Sequence, residues 1–351
     1  MSSPGRLRVV IATPLSSELM DRIAQLEPRL DLVCEPSLLP PSRFAGDHVG
    51  DPAYRRTPSQ QRAFEELVDS AEALYGVPDE DPEQLHRTAA VNPRLRWVQT
   101  MPAGGGGQVK AARLSQEQLV RIAFSTSAGV HAEPLAEFAV FGVLAGAKTL
   151  PRLLRQQAAE EWSERWVMPL ISEQNVLVVG LGNIGRATAS KLAALGASVA
   201  GVSRRDVELP GVSRVIRPEE LADAVADFDA LVVTLPGTID TESLVDARVF
   251  AALSPGTTIV NVGRGTVIDE DALVDALDSG QIGFAALDVF SAEPLSTSSP
   301  LWKHPRVLIS PHTAGLNPAE DRLIAELFAE NAGRLLDGRD LINRVNTVEF
   351  Y

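Results

Sequence analysis

Three segments of the chain carry side chains that could together work on a carbonyl group. Arg264 sits between two glycines in Asn261-Val-Gly-Arg264-Gly265, and Glu293 precedes proline in Asp288-Val-Phe-Ser-Ala-Glu293-Pro294-Leu295. His312, one of five histidines, lies in Ser310-Pro-His312-Thr-Ala-Gly315. A guanidinium stays charged and presents a planar fork of donors, which suits it to hold a carboxylate and polarise a neighbouring carbonyl. An imidazole titrates near neutral pH and can give a proton to an oxygen or take one away. A carboxylate beside that imidazole orients the ring and favours its protonated form. The set suits interconversion of a 2-keto acid and a 2-hydroxy acid. Singly, each residue has an ordinary explanation: His312 as a packed loop residue, Glu293 as a solvated acid, Asp288 as a turn former. The glycines flanking Arg264 are harder to dismiss, because they point to a backbone that a neighbour approaches closely. Order raises the set above its members, since the three segments follow strand candidates at 258–262, 284–288 and 307–310.

A second motif supplies the partner such chemistry needs. Val176-Leu-Val-Val-Gly180-Leu-Gly182-Asn183-Ile184-Gly185 is an apolar run that ends in G-x-G-x-x-G and leads into a helical pattern up to residue 195. The first glycine permits a tight turn, the second lets backbone approach a pyrophosphate, and the third lets helix and strand pack closely. The helix N-terminus then offers unpaired N–H groups and partial positive charge to the phosphates. A further strand candidate at 198–203 completes the pattern of a dinucleotide site for hydride transfer. An acid about 20 residues beyond the glycines normally takes the ribose 2′-hydroxyl of NAD, whereas Ser and Arg there suit the 2′-phosphate of NADP. Ser203 stands at that point, followed by Arg204 and Arg205, which could clamp a phosphate. Asp206 follows them, and a one-turn error in the strand end would restore the NAD reading. NADP is the favoured cofactor and NAD the alternative; the plain explanation of the arginines is a solvated surface turn. Asp288 is expected to face the nicotinamide amide rather than the substrate.

Alternating strand and helix patterns must position these residues. In the first part, strand candidates are 7–13, 30–34, 73–77, 95–100 and 122–125, with amphipathic stretches at 18–26 and 61–73. The second part offers 176–180, 198–203, 230–234, 258–262, 284–288 and 307–310, separated by helical patterns at 184–195, 218–226, 244–253 and 269–279. Six strands with crossover helices match a doubly wound dinucleotide-binding domain, whose strand ends converge on one crevice. Too few residues remain after 310 for a third domain, so the apolar-periodic helix at 319–335 is expected to return to the first. Patterns at 133–150 and 153–166 are expected to bridge into the second, with Trp162 and Trp166 packing between the two. The chain therefore reads as α/β, with two doubly wound parallel-sheet domains. A Rossmann cofactor domain at 131–313 is inserted into a flavodoxin-like substrate domain made of 1–130 and 314–351. The Pro-, Gly-, Asp- and Arg-rich segment at 36–59 lacks a period and reads as a long loop excursion. Four glycines at 104–107 read as a loop tip with accessible amides.

Composition narrows the partners. With 351 residues, two domains fit better than one. Asp and Glu number 46 against 32 Lys and Arg, so the formal charge of −14 repels phosphate backbones and anionic lipids. No nucleic acid or membrane partner is expected. Cys34 is the only cysteine, which excludes an intramolecular disulfide and a cysteine-based zinc site and suits a buried structural thiol. No metal is expected. Residues 1–6 lack the apolar core of a signal peptide, and the longest apolar stretch, near 138–147, is short for a membrane span, so a cytoplasmic protein is expected.

The chain resembles the D-isomer-specific 2-hydroxyacid dehydrogenase family. The resemblance rests on Val179–Gly185, Leu235-Pro236 with Thr241, the Arg264 segment, the Asp288–Leu295 segment and Pro311–Gly315, and is strongest over about 130–320. It implies Arg264, Glu293 and His312 as the catalytic set, with Arg264 binding substrate and His312, assisted by Glu293, as acid/base. It also implies cofactor contacts from Leu235, Pro236 and Val262, a small 2-keto acid such as glyoxylate or hydroxypyruvate as substrate, and a homodimer formed mainly through the cofactor domains. A first-domain loop, here Ala103, Gly104 and Gly105, would offer amides to the substrate carboxylate. The chain departs from the family where Ala-Gly-Val-Asp is often found, having Ala-Gly-Gly-Gly-Gly instead, and in the length of the 36–59 excursion. Other readings of the fold are a phosphite or formate dehydrogenase, the latter opposed by Glu293 where that enzyme carries Gln, and a non-catalytic nucleotide-sensing protein.

Overall fold

Runs of Val, Ile, Leu and Ala, which pack well on a pleated surface, form the strands. The computed structural model describes residues 6–348 and 350. The chain divides into two units, one running up to His131 and resuming at Leu316, the other Ala132–Gly315.

In the first unit β1 (Leu7–Ile11), β2 (Leu30–Val33), β3 (Ala73–Tyr75), β4 (Trp97–Gln99) and β5 (Ala123–Ser125) form a parallel sheet in the order β2-β1-β3-β4-β5. This is the flavodoxin-like doubly wound order. Helix Glu320–Leu336 packs on it because Phe328 stacks on Trp97, with ring centroids 4.5 Å apart, and meets Tyr75 edge-on at 5.1 Å. Asn331, fully buried, donates to Gln99 Oε1 and to the Ile342 carbonyl, which ties the tail to the sheet.

The excursion is irregular apart from a 3-10 turn at Pro36–Leu38, and it ends earlier than expected. Thr57 caps the helix Pro58–Val68 with a reciprocal Gln60 bond, so residues 58 and 59 are helical. The segment is tied down at several points. Arg56 pairs with Asp79 and lies 3.7 Å from the Phe64 ring centroid. The Gly46 N–H donates to Asp321, and Arg43 makes a forked pair with buried Asp47. His48 Nε2 and His131 Nε2 both reach Glu320 Oε1, at 3.3 and 3.0 Å. Glu320 is only 2% exposed. Burial pushes its carboxyl up, but the bonds and charges of His131 and His48 outweigh that and hold it below the usual range. Cys34 is half-buried, and burial pushes its thiol up.

In the second unit β6 (Asn175–Val179), β7 (Ser198–Val202), β8 (Val212–Ile216), β9 (Ala230–Val233), β10 (Thr257–Asn261), β11 (Ile282–Leu287) and β12 (Val307–Ile309) form a parallel sheet ordered β12-β11-β10-β9-β6-β7-β8. Six strands fall where the sequence places them, and β8 does not. Its run Val-Ser-Arg-Val-Ile lies at the sheet edge with only Ile216 buried, so it lacks the continuous apolar signal of the inner strands. The helix expected at 218–226 is one short α segment, Leu221–Ala224, between 3-10 turns. The helix expected at 244–253 shortens to Ala247–Ala252, started by an Asp246 cap. The pattern at 153–166 is helical only to Ala158, and Glu160 then adopts φ +53. Trp166 stacks under Arg152 at 3.8 Å and donates to Thr149 within its own unit, while Trp162 is fully exposed. Among the described residues, no helix is long and apolar enough to cross a membrane.

Candidate active site

At the end of β6 the backbone turns through Gly180, at φ +110, and enters helix Asn183–Ala194 at Gly182, which provides no side-chain cap. The first-turn N–H groups are thus left for a ligand or solvent. A Cβ on Gly185 would lie 1.8 Å from the Gly180 carbonyl oxygen, so strand and helix can pack this closely only without one. A Cβ on Gly182 would meet nothing within 4 Å: this glycine faces open space, where a phosphate needs bare backbone. Asn183 is exposed and Ile184 half-buried at the same turn. Leu235 leans over Gly180, with half-buried side chain, and Pro236 beside it is exposed. Val262, by contrast, is buried in the core and can offer a ligand only its backbone.

The end of β7 carries a dense group of charges. Ser203 Oγ accepts the Arg205 N–H, while Arg204 reaches Asp240 at 3.5 Å with both side chains largely exposed. Asp206 is fully exposed and paired with Arg217. Arg217 also donates to the Ser203 carbonyl at 3.4 Å. This arginine, absent from the residues expected here, follows β8, and only that strand would have placed it beside Ser203.

Asp288, 1% exposed at the end of β11, accepts through Oδ1 from Ser310 Oγ at 2.6 Å and from the Thr313 and Ala314 N–H groups, each at 3.0 Å. It therefore shapes the loop that carries His312. Its Oδ2 is buried without a partner among the described residues. An unpaired buried carboxylate oxygen is costly, and a carboxamide donor would satisfy it. Together with the bare Gly182 turn, that oxygen fits a nicotinamide dinucleotide.

His312 holds φ +54, unusual for a residue with a side chain, and its N–H donates to the Asp288 carbonyl at 2.9 Å. Its Nδ1 lies 2.7 Å from Glu293 Oε2, and Glu293 Oε1 accepts the Phe290 N–H at 3.0 Å. Burial pushes the Glu293 carboxyl up, but the His312 and Phe290 bonds and the charges of His312 and Arg264 bring it below the usual range. Arg264 follows β10 and spends one N–H on the Gly263 carbonyl. Its flanking glycines are set by close approach. A Cβ on Gly263 would lie 2.5 Å from the Leu235 carbonyl oxygen, and one on Gly265 1.8 Å from Phe290 backbone. Buried Asn261 completes the turn, accepting the Gly263 N–H and donating to the Arg264 carbonyl. Arg264, Glu293 and His312 thus stand at the carboxyl ends of three adjacent strands, with an exposed guanidinium, carboxylate and imidazole.

In the first unit the glycine run is not a free loop tip. Gly106 and Gly107 begin helix Gly106–Ala111, and Gly105 is buried with its N–H donating to the Pro102 carbonyl at 3.2 Å. A Cβ on Gly105 would collide with Thr100 Oγ1. Ala103 and Gly104 are exposed, and their N–H groups have no partner among the described residues. No group of His, Cys, Asp and Glu among the described residues could hold a metal ion.

The family model of the D-isomer specific 2-hydroxyacid dehydrogenase NAD-binding domain matches residues 140–314. Glyoxylate/hydroxypyruvate reductase A of Serratia proteamaculans (strain 568) is 33% identical over 210 residues, which cover 58% of this chain and 66% of that protein, just under two thirds of its length. An uncharacterized protein of the proB 3′ region of Corynebacterium melassecola is 30% identical over 265 residues, covering 73% of this chain and 84% of the relative. Among solved structures, a D-isomer specific 2-hydroxyacid dehydrogenase from Xanthobacter autotrophicus Py2, in complex with NADPH and MES, superimposes with a TM-score of 0.77. It is 29% identical and the match covers 99% of this chain and 100% of that one. The chain belongs to the D-isomer-specific 2-hydroxyacid dehydrogenase family.

Proposed function

We propose that the protein reduces a small 2-keto acid, of the size of glyoxylate or hydroxypyruvate, to its D-2-hydroxy acid, with NADPH favoured over NADH. The observation that carries this reading is the 2.7 Å contact of His312 Nδ1 with Glu293, within reach of the Arg264 charge. The bound nicotinamide supplies the hydride for the keto carbon. Arg264 takes the substrate carboxylate with the donors it does not spend on Gly263 and draws electron density from the adjacent carbonyl. His312 gives the proton from Nε2 to the carbonyl oxygen, because Glu293 fixes Nδ1–H as the other donor. Glu293, ionised through the working pH range, keeps the imidazolium oriented between turnovers. Asp288 holds the His312 loop and offers Oδ2 to the carboxamide. Ala103 and Gly104, whose N–H groups have no partner among the described residues, are the first unit's candidates to bind a substrate carboxylate, and Gly105 shapes their turn.

In this reading the unit Ala132–Gly315 is the cofactor domain and the other the substrate domain. The exposed apolar residues Phe141, Leu153, Leu154, Trp162, Val167 and Leu170, all on the cofactor unit, support its use as the face of a homodimer. The test is His312→Asn. Turnover should fall by at least about a hundredfold with cofactor affinity retained; near-normal turnover would remove His312 from the chemistry.

A further inference from the structure

The charges at the end of β7 go beyond the Ser-Arg-Arg sequence. Three arginines, Arg204, Arg205 and Arg217, follow two adjacent strands; the Arg205 backbone N–H is bonded to Ser203 Oγ, and the Arg217 guanidinium reaches the Ser203 carbonyl. Arg205 has no side-chain partner among the described residues, while Arg204 and Arg217 are held by Asp240 and Asp206. Both acids are strongly exposed, Asp206 at 98% and Asp240 at 75% of side-chain area, so giving up either pair costs little. Arg217 is the less exposed of the two paired arginines, at 35%, and its second arm is anchored on the Ser203 carbonyl. A guanidinium fixed at the strand end, with a solvated carboxylate as its only ionic partner among the described residues, is placed to exchange that carboxylate for a dianionic oxygen ligand.

Building on the NADPH preference stated above, we propose that Arg217 is a third guanidinium ligand of the 2′-phosphate and that Asp206 is its counter-ion when no nucleotide is bound. The adenosine 2′-phosphate then sits over Ser203, bonded by Arg204 and Arg205 from one strand end and by Arg217 from the next. Asp206, which in sequence looks like an NAD-type acid, instead keeps Arg217 extended towards the site. A ribose with a bare 2′-hydroxyl gains nothing from this exchange, so Arg217 contributes to discrimination and not to general nucleotide affinity.

Calorimetric titration with adenosine 2′,5′-bisphosphate and adenosine 5′-monophosphate tests this without any turnover. Wild-type protein should bind the bisphosphate at least about tenfold more tightly. Arg217→Met should lose most of that difference, leave the monophosphate affinity unchanged, and so show that the fold is intact. Arg217→Lys should keep an intermediate preference, because the point charge stays and the fork is lost. Equal loss for both ligands, or no loss for either, overturns the role of Arg217. If Arg204→Ala/Arg205→Ala abolishes the preference and Arg217→Met does not, only the inference on Arg217 fails. Wild-type protein without any preference would overturn it together with the NADPH reading.

Discussion

At the scale of single residues, the candidate site combines a histidine held in a left-handed backbone conformation with a carboxylate 2.7 Å from its ring. Glu293→Gln keeps the shape and removes the charge, so the imidazolium loses its partner. The kcat for keto acid should therefore fall by at least about tenfold with cofactor affinity retained. An unchanged kcat would mean that Glu293 is only a packing residue. Arg264→Lys should raise KM for keto acid by about tenfold or more, since a point charge cannot hold carboxylate and carbonyl together in a fork. The placement of Arg264, Glu293 and His312 after neighbouring strands was legible because each stands in a short segment that follows a strand candidate. Asn261 was less so: its amide shapes the Arg264 turn through two backbone bonds that no residue pattern announces.

At the scale of elements, strands buried on both faces announce themselves and edges do not. β6 and β9 carry apolar runs of four residues and β10 is buried along its whole length, whereas β8 exposes Ser213 and Arg214 and carries no such signal. Losing β8 also hides Arg217, which is how a missed strand became a missed residue. The four glycines misled in the opposite sense, because loop composition says nothing of the Thr100 side chain that Gly105 must clear. At the β6 turn the same physics gives a firm expectation. Gly185→Ala forces the helix off the Gly180 carbonyl, costs about 1–3 kcal/mol, and should abolish dinucleotide binding in calorimetry while the first unit stays folded by circular dichroism. Retained affinity would exclude this turn as the phosphate cradle. In the first unit, Glu320→Ala removes the buried carboxylate shared by two half-buried imidazoles and should lower stability by about 3 kcal/mol in denaturant unfolding. Glu320 titrates below its unfolded value of 4.5, so its contribution is complete above pH 4.5 and disappears as pH falls through the lower folded value. Glu320→Gln should flatten that acid limb of the melting temperature; an unchanged limb would show that other carboxylates set it.

At the scale of the whole molecule, the doubly wound order of both sheets was legible from alternating patterns, because parallel strands need long crossovers that helices fill. The exposed stretch around Trp162 was not, since apolar residues without a period look alike whether they pack inward or wait for a partner. Trp162→Asp should shift the molecular mass measured by light scattering from dimer to monomer; a wild-type monomer at micromolar concentration would remove that face from consideration. The chemistry itself is best tested on unmodified protein, by following nicotinamide absorbance across a panel of 2-keto acids with NADPH and NADH side by side. Oxidation of NADPH in preference to NADH with glyoxylate or hydroxypyruvate is the predicted result. Protein that binds NADPH tightly and oxidises it with no keto acid in the panel would contradict the account.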